Sequence, residues 1–334
     1  MERRKVQVTG GSTFTVSIPK EWARDHGVEA GDEVGFHPDS GSLLLTPVTD
    51  EEPIRGSLDI SGLEGEALRR AVMTMYVSGF DIIELTADRI TSAQRRVIRN
   101  ATQGLVGLEV LEETGEMVVI QDLLDSSELS IHNAVRRMRL ISLSMLEDAI
   151  TALRDHDLDL AADVIERDDD VDRLWYVVSR IFRSALRSPR VAQEIGVSRE
   201  DCFDYHSSAR QLERIADHAA KISRVTTELD ETVPEEVMAS LEELHGLSAE
   251  VVDTAMDALF AGDSQEATEL ANSARADVTS IDEQARAVDE LLRELDPRDA
   301  RHLGLIVDSV SRSADYGGNI AETALQKAAP TPNP

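Results

Sequence analysis

Carboxylates at four-residue spacing are the side chains of this 334-residue chain best suited to chemistry. Asp168 and Asp172 lie in one helical segment, and Glu213 and Asp217 lie in the next, each pair four residues apart. Side chains at this spacing project from one helix face. Asp168 also falls in register with the apolar Val164, so it points toward the core. Two such pairs on adjacent helices could offer four carboxylates to one hard cation, which would offset their repulsion. The sequence therefore predicts a metal site, with a solvated acidic face as the alternative.

The histidines and the catalytic motifs give little support for an enzyme. Glu242 and His245 form a single Glu-x-x-His, whereas a ferritin-like di-iron site needs two such motifs and further glutamates. The sequence contains no Gly-x-Ser-x-Gly, no phosphate-binding glycine loop and no paired Cys-x-x-Cys. We therefore predict that the protein is not an enzyme. A di-iron oxidase or metal store is the disfavoured alternative.

A basic cluster stands at the start of a strongly acidic chain. Residues 1–24 have a local balance of +3, whereas the whole chain has a net charge of −30. The basic residues are Arg3, Arg4, Lys5, Lys20 and Arg24. Affinity for nucleic acid begins with phosphate neutralisation. The cluster predicts DNA binding by these five residues, with chance clustering in a short window as the alternative.

Composition indicates a reducing, salt-rich compartment. The chain has 64 acidic and 34 basic residues, and only four of the basic residues are lysines. Such a surface is typical of halophile proteins, because high salt screens its self-repulsion; an ordinary acidic protein is the alternative. The single cysteine, Cys202, excludes an internal disulfide. No apolar run approaches the ~18–20 residues that span a bilayer, and no hydrophobic leader is present. We predict a cytoplasmic protein without stable membrane insertion.

Two small modules precede the segments that carry the carboxylates. In residues 1–48, apolar side chains alternate with polar ones from Thr13 to Ile18, which predicts a β-strand. A short helix and turn-separated strands follow, and residues 49–53 are predicted to be a linker. Residues 54–124 have the pattern β-α-β-α-β-β, which predicts a small α/β connecting domain. This domain could pair, bind a ligand or serve as a spacer.

Residues 127–328 are predicted to form six long helices. Three of them carry apolar or small residues at alternating spacings of four and three, which is typical of helices in antiparallel bundles. These stripes are Ile131, Val135, Met138, Ser142, Met145, Ala149 and Ala152; Val237, Leu241, Leu244, Ser248, Val251, Ala255 and Ala258; and Leu303, Ile306, Val310, Ser313, Gly317, Ile320 and Ala324. The segments divide into two groups of three, at residues 127–230 and 232–328, which indicates an internal duplication. The predicted class is mainly α with an α+β N-terminal part.

The N-terminal module resembles the AbrB/SpoVT transcription-factor family. The resemblance rests on Thr-Phe-Thr-Val-Ser-Ile-Pro-Lys at residues 13–20 and on Gly-Val-Glu-Ala-Gly-Asp at residues 27–32. It implies one half of a swapped-hairpin β-barrel, completed by a second chain. It also implies a homodimer whose basic residues contact DNA, and some members of that family serve as antitoxins.

Residues 127–328 resemble PhoU, the phosphate-uptake regulator built from two tandem antiparallel three-helix bundles. The resemblance rests on Leu-Glu-Arg-Ile-Ala-Asp-His-Ala at residues 212–219 and on the run from Asp168 to Leu174. In that family, Glu/Asp-x-x-x-Asp motifs bind metal clusters, which maps onto Asp168, Asp172, Glu213 and Asp217. The implied cofactor is a divalent or trivalent metal ion, with iron, zinc, magnesium and manganese all open.

The second repeat departs from this pattern. Ser311 stands where the first repeat has Glu213, although Asp315 is retained. Asp277 and Asp282 are five residues apart rather than four. The resemblance therefore implies a weaker second metal site at Asp277, Asp282 and Asp315.

The two resemblances together imply a phosphate-responsive regulator of phosphate uptake. Its expected partners are DNA upstream of phosphate-transport genes, subunits of the ABC phosphate transporter and a second copy of the chain. The alternative is an adaptor that regulates the transporter by protein–protein contact, with an N-terminal module that only dimerises.

Overall fold

The computed structural model describes residues 3–39, 42–48, 53–123 and 130–330. The predicted turn at Ser40 and Gly41, linker residues 49–52 and the predicted helical start at 127 fall outside these ranges. The chain divides into two compact units, Met1–Pro53 and Ile54–Pro334. Each unit has its own architecture.

The N-terminal unit consists of two hairpins and a short helix. Strands β1 (Gln7–Thr9) and β2 (Thr13–Thr15) pair antiparallel, as do β3 (Val34–Asp39) and β4 (Ser42–Pro47), and α1 (Lys20–Asp25) lies between the hairpins. Gly10 and Gly11 form the first turn at φ +65° and +84°, backbone angles that glycine adopts at little cost. The two sheets are small and do not close into a barrel within one chain. This agrees with the half-barrel predicted from the sequence.

Apolar side chains of the N-terminal unit lie on its surface. Val8 and Phe14 face each other across the first hairpin, yet they are 62% and 75% exposed. Phe36 and Leu43 in the second hairpin are also more than half exposed. Among the described residues of this unit, no apolar side chain is fully buried. A single chain therefore leaves these apolar side chains exposed to solvent.

The strand predicted from Thr13 to Ile18 is shorter in the structure. It ends at Thr15 because its partner β1 has only three residues, so Val16 and Ile18 have no strand to pair with. Strand β1 itself was not predicted from the sequence. The sequence signal for β1 was the Gly10-Gly11 turn, because a tight turn directly before a strand indicates that another strand precedes the turn and pairs with it.

The second unit begins with a four-stranded sheet covered by two helices. Its elements are β5 (Arg55–Asp59), α2 (Gly65–Val77), β6 (Ile82–Thr86), α3 (Ser92–Gln103), β7 (Leu108–Glu113) and β8 (Met117–Asp122). The strand order is β5-β6-β8-β7, with β5 and β6 parallel and the other pairs antiparallel. This is the β-α-β-α-β-β order predicted from the sequence. Its core is aliphatic, with Tyr76 fully buried.

Six long helices follow, as predicted, together with one short helix. They are α4 (Ile131–Asp155), α5 (Leu158–Arg187), α6 (Pro189–Ile195), α7 (Arg199–Thr226), α8 (Glu235–Phe260), α9 (Ser264–Leu292) and α10 (Pro297–Ala328). The short helix α6 begins at a proline after the cap Ser188 and ends at Gly196. Ser198, Asp263 and Asp296 cap the helices that follow them by accepting backbone hydrogen bonds. None of the helices in the described residues is long and apolar enough to cross a membrane.

The predicted stripes form the core. Every residue of the stripes on α4, α8 and α10 is buried, including Ser142, Ser248, Ser313 and Gly317. Helices α4, α5 and α7 pack as one bundle and α8, α9 and α10 as the other, and α7 also packs against α10. The buried residues of both bundles form one continuous apolar cluster. The small stripe residues leave room for close approach, and Ser142 Oγ donates to the Leu212 carbonyl at 3.0 Å.

A buried arginine joins α5 to the α/β layer. Arg180 Nη1 donates to the carbonyls of Tyr76 and Phe80 at 2.8 and 3.1 Å. Its Nη2 lies 3.0 Å from Asp81 Oδ1 and 2.7 Å from Asp122 Oδ2. These contacts are charge-assisted and shielded from water, which makes them strong. They fix α5, the helix that carries Asp168 and Asp172, to the sheet.

Candidate functional site

The four predicted carboxylates lie along the seam between α5 and α7. Glu213 is buried at 8% exposure, Asp168 and Asp172 are half-buried, and Asp217 is exposed. Three nearby positions on α7, Ala209, Ala216 and Ala220, are fully buried and small. These alanines allow the two helices to approach, which brings the carboxylates of one helix near those of the other.

The carboxylates act on one another electrostatically. Burial, together with the charges of Asp217 and Asp172, raises the pKa of Asp168 to about 6. Burial also raises the pKa of Glu213 to about 7, where Asp217 and Asp172 again contribute against the opposing effect of Arg210. Burial and Asp217 raise the pKa of Asp172. Burial and mutual repulsion therefore disfavour the charged forms of Asp168, Asp172 and Glu213, which a bound cation would offset.

Three arginines and a tyrosine flank this carboxylate cluster (Asp168, Asp172, Glu213 and Asp217). Arg210 Nη1 lies 2.6 Å from Glu213 Oε1, and Arg224 Nη2 lies 3.9 Å from Asp168 Oδ2. Arg69 of α2 lowers the pKa of Asp172, and the Tyr176 hydroxyl donates to Asp172 Oδ2 at 3.4 Å. These neighbours were not predicted. Arg210 and Tyr176 lie three and four residues from Glu213 and Asp172 on the same helices, so their spacing is visible in the sequence. Arg69 and Arg224 act on Asp172 and Asp168 from a different helix.

The carboxylate oxygens of the cluster are the donors that a hard cation prefers, but the side chains do not converge on one point. Glu213 Oε2 is buried and has no hydrogen-bond partner, so one carboxylate oxygen is available for a ligand. Within the described residues, however, no three His, Cys, Asp or Glu side chains lie close enough to form a metal cage. Binding of a metal would therefore require the side chains to turn toward a common point.

The second predicted metal site is more exposed. Asp277, Asp282 and Asp315 all lie on the surface of α9 and α10. Burial, Asp282 and Asp308 raise the pKa of Asp315. Asp277 is not among the charges that act on Asp315, because it lies more than a turn before Asp282 on α9. The charge of Asp282 thus acts on Asp315, and the second metal site stays a prediction.

An aromatic strip continues the α5–α7 seam beyond the carboxylate cluster. It consists of Trp175, Phe182, Phe203 and His206. The ring of His206 lies 4.7 Å from that of Trp175 and 4.5 Å from that of Phe182, centroid to centroid. Phe182 and Phe203 are 6.2 Å apart. This strip was not predicted, because its rings come from two helices.

The five predicted DNA-binding residues are all exposed. Arg3, Arg4 and Lys5 precede β1, and Lys20 and Arg24 lie four residues apart on α1. Lys20 and Arg24 therefore share one face of that short helix. The structure thus places the basic residues in two groups, one in the segment before β1 and one on α1.

Comparison with protein families gives matches in both units. The PhoU domain matches residues 135–226, which include all four residues of the carboxylate cluster. The family described as antidote-toxin recognition MazE, bacterial antitoxin, matches residues 7–53, which include Lys20 and Arg24. The N-terminal match is the MazE/AbrB type of domain expected from the sequence.

Individual relatives agree with the C-terminal match. The phosphate-specific transport system accessory protein PhoU homologs of two Xylella fastidiosa strains, 9a5c and Temecula1, are each 31% identical to this chain over 197 residues. The alignments cover 57% of this chain and 79% and 78% of the relatives. The crystal structure of PhoU from Pseudomonas aeruginosa shares the fold, with a TM-score of 0.50 and 24% identity over 58% of this chain and 93% of that one. The chain therefore belongs to the PhoU family and carries a MazE/AbrB-like domain at its N-terminus.

Proposed function

We propose that this protein regulates phosphate uptake as a non-enzymatic, dimeric transcription regulator whose helical half senses and whose N-terminal unit binds DNA. The observation that carries the proposal is the union, in one chain, of a PhoU domain and a MazE/AbrB-like domain. The relatives are named as accessory proteins of a phosphate-specific transport system, which supports the phosphate role. A regulator that binds DNA acts where the chromosome is, which is the cytoplasmic location predicted from the sequence.

The exposed apolar surface of the N-terminal unit supports a homodimer. Val8, Phe14 and Phe36 are each at least 60% exposed on open hairpins. A module of fewer than 60 residues has only a marginal core of its own, and a large exposed apolar patch marks an interface. A second copy would cover this patch with the same residues in a self-complementary contact.

The exposed basic residues of the same unit support contact with DNA. In a chain of net charge −30, a locally cationic segment favours the approach to DNA, and residues 1–24 supply one with a balance of +3. Arg3, Arg4, Lys5, Lys20 and Arg24 would contact phosphate or base edges from both chains of the dimer. The adaptor alternative keeps the dimer and the phosphate-transporter partner but assigns no DNA contact to these residues.

The carboxylate cluster supports metal binding as the basis of sensing. Asp168, Asp172, Glu213 and Asp217 would hold the ion, which would neutralise charges that now raise one another's pKa. The buried, unpaired Glu213 Oε2 supports this role. Oxygen donors favour magnesium or manganese among the candidate ions, while iron and zinc also accept carboxylates. Asp282 and Asp315, with Asp277 beyond them, would form a weaker second site.

DNA binding can be tested with the purified full-length protein in molar potassium chloride. Fluorescence anisotropy would measure binding to a duplex from upstream of phosphate-transporter genes and to a scrambled duplex. We expect sequence-specific binding that the triple change Arg3→Ala, Arg4→Ala and Lys5→Ala weakens at least tenfold. The triple change Arg286→Ala, Arg293→Ala and Arg301→Ala removes as much charge from exposed helical positions and should leave binding within twofold.

Two outcomes separate the proposal from the adaptor alternative. If the wild-type protein shows no preference for the specific duplex, the N-terminal unit is a dimerisation module only. If light scattering finds a monomer that still binds the duplex specifically, the two-chain barrel is wrong even though the DNA role stands.

Metal binding has its own test, which does not depend on DNA. Titration calorimetry with manganese chloride should detect binding to the wild-type protein, and the melting temperature should rise with metal concentration. Glu213→Gln with Asp172→Asn should abolish the stronger binding event. Asp282→Asn with Asp315→Asn is the matched pair in the second bundle and should leave that event in place. Equal loss in both double variants would contradict the assignment of the main site.

A further inference from the structure

Strand β5 forms one edge of the four-stranded sheet. In the order β5-β6-β8-β7 its neighbour among the described strands is β6, with which it pairs from Arg55 to Asp59 without a break in register. Arg55, Ser57 and Asp59 are all exposed. The edge of a sheet presents unpaired backbone groups and is a template for a further strand. Strand β5 is therefore accessible to another strand along its whole length.

The hydrogen bonds of β5 show which of its backbone groups point outward. The Ile54 carbonyl accepts a hydrogen bond from Ile82 of β6 at 3.1 Å, and the Ile60 amide donates to Thr86, the last residue of β6, at 2.8 Å. Since hydrogen-bonding groups of successive strand residues point to alternate sides, the even-numbered residues of β5 bond to β6. The odd-numbered residues consequently turn their amides and carbonyls toward the open edge; they are Arg55, Ser57 and Asp59.

The sequence of this edge is complementary to itself. When two copies of Arg-Gly-Ser-Leu-Asp run antiparallel with Ser57 opposite Ser57, Arg55 of each copy lies opposite Asp59 of the other. The same alignment sets the outward-pointing residues of the two strands opposite each other, as a hydrogen-bonded antiparallel pair requires. Opposite charges that face each other across two strands stabilise the pairing, whereas like charges weaken it. The charges therefore favour this register over its neighbours.

Arg55 and Asp59 each have one neighbour in their own chain. Arg55 Nη1 lies 3.4 Å from Glu84 Oε1, and its side chain is still 61% exposed. Asp59 Oδ1 accepts a hydrogen bond from the Ser61 amide at 2.8 Å. A guanidinium has five N–H donors, and a carboxylate has acceptor sites on both oxygens. These contacts therefore leave donors and acceptors for a partner strand.

The other edge of the same sheet, strand β7, has features that prevent pairing. It carries Glu109, Glu112 and Glu113, and a bulge between Val110 and Glu112 interrupts its pairing with β8. Acidic side chains and bulges are the devices by which exposed edges avoid other strands. A second copy of β7 would also bring its glutamates toward those of the first. Of the two described edges, β5 is the one suited to its own copy.

We propose that β5 pairs antiparallel with β5 of a second copy of this chain, so that the two sheets become continuous across a two-fold axis at Ser57. Such a contact is self-complementary and closes as a dimer. It lies in the α/β layer and does not rest on DNA binding, on metal binding or on the dimer proposed for the N-terminal unit. That unit ends at Pro53, so a dimer formed there would raise the effective concentration of one β5 strand near the other.

Disulfide trapping in the full-length protein tests this pairing. Cys202 is buried, so Ser57→Cys adds the accessible thiol. Opposed residues of a hydrogen-bonded antiparallel pair have Cα atoms about 5.5 Å apart, which a disulfide can span. Ser61→Cys is the matched control, because at about 3.4 Å per residue the two copies of position 61 would lie roughly 27 Å apart. With copper phenanthroline as oxidant, we expect at least tenfold faster formation of a covalent dimer by Ser57→Cys on non-reducing gels.

The register has a separate test in co-expressed, differently tagged chains. Arg55→Cys in one chain and Asp59→Cys in the other should give a mixed covalent dimer. Neither variant should crosslink to itself, since its two thiols would be attached to Cα atoms roughly 14 Å apart. These variants change only exposed residues, so they also decide the question if thermal melts show that Ser57→Cys does not fold.

The outcomes distinguish this contact from the dimer of the N-terminal unit. Equal trapping at positions 57 and 61, or crosslinks from position 57 only to other proteins, would overturn the β5 pairing. A dimer in light scattering that gives no disulfide at position 57 and no mixed disulfide between positions 55 and 59 would also overturn it, while the N-terminal dimer would stand.

Discussion

His206 lies between two aromatic rings, and this position keeps its imidazole neutral. Burial, together with the nearby Arg183 and Arg210 guanidiniums, lowers the pKa of His206 to about 4. A histidine in an unfolded chain has a pKa of about 6.5. Between these two values the unfolded state binds the proton more readily than the folded state does. The folded state therefore becomes less stable relative to the unfolded state as the pH falls from about 6.5 toward about 4.

His206→Phe is expected to reduce this acid sensitivity, because phenylalanine keeps the ring stacking and cannot bind a proton. Urea unfolding at pH 7.5 and pH 5 would measure the difference in stability. The wild-type protein should lose about 1 kcal/mol more than the variant between the two pH values, after allowance for partial solvent access. Parallel losses in both proteins would show that His206 does not contribute.

The sequence alone predicted some residues of the candidate site and missed others. The spacing of four within α5 and within α7 predicted the carboxylate cluster, since a helix fixes which of its own residues share a face. The flanking groups Arg69, Arg224 and Tyr176 were not predicted. Tyr176 lies four residues after Asp172 on α5, so its spacing was visible in the sequence. Arg69 on α2 and Arg224 on α7 act on α5 residues across helices, and helix-to-helix register is not encoded in the spacing of either helix alone.

Helix α10 contains two glycines with opposite surroundings. A methyl group at Gly317 would lie 3.0 Å from Val251 Cγ1 and from the backbone of Val252, whereas a methyl group at Gly304 would meet nothing within 4 Å. Gly317 is therefore a point of close approach between α10 and α8. Gly304 contributes only flexibility to the helix.

The variants Gly317→Ala and Gly304→Ala should change stability in opposite directions. Overpacking at Gly317 is expected to cost about 1–3 kcal/mol, partly offset by the higher helix propensity of alanine. Gly304→Ala should stabilise the protein by up to about 1 kcal/mol, because only the propensity term applies. Chemical unfolding of the two variants side by side measures both effects. Stabilisation by both would mean that α8 and α10 can move apart at no cost.

Helix α5 connects the carboxylate cluster to the α/β layer. Asp172 and Arg180 are two turns apart on α5, and Arg180 makes all four of its described polar contacts with Tyr76, Phe80, Asp81 and Asp122. Its side chain is only 7% exposed. From the sequence, Arg180 reads as an ordinary surface arginine, because its acceptors lie about 60 to 100 residues earlier in the chain.

Arg180→Met should strongly loosen the contact between α5 and the sheet. Removal of one partner leaves Asp122 buried without its cation, which typically costs about 3–5 kcal/mol. Hydrogen exchange should accelerate in residues 76–82 and 117–122. Arg183→Met, on the same helix but exposed, should change stability by less than about 0.5 kcal/mol. Unchanged exchange in the Arg180 variant would contradict a structural role for this contact.

The charge of the whole molecule predicts how it responds to salt. With 64 acidic and 34 basic residues, the folded chain concentrates negative charge that an unfolded chain would spread out. Screening of this repulsion favours the compact state, so the melting temperature should rise between 0.1 and 2 M potassium chloride. Part of that rise comes from general salting effects, so the same series in sucrose provides a comparison. A melting temperature that does not respond to salt would remove the basis for the halophile interpretation.

At this scale, the sequence predicted the mainly α architecture well. The stripes on α4, α8 and α10 follow the helical period over six or seven turns, so every predicted stripe residue is buried. The N-terminal unit was predicted less completely. Its strands are only three to six residues long, and the three-residue β1 leaves little periodic signal. Short strands depend on their pairing partners, which a pattern within one strand does not specify.

The continuous core of the two bundles has a consequence for how the repeats can diverge. Because buried residues of both bundles form one cluster, neither bundle can be removed without exposing the other. The second bundle is then retained for its packing even if Ser311 and the wider Asp277–Asp282 spacing have cost it a ligand. Its surface is free to accumulate substitutions and acquire a separate role, while its interior stays constrained by the neighbouring repeat.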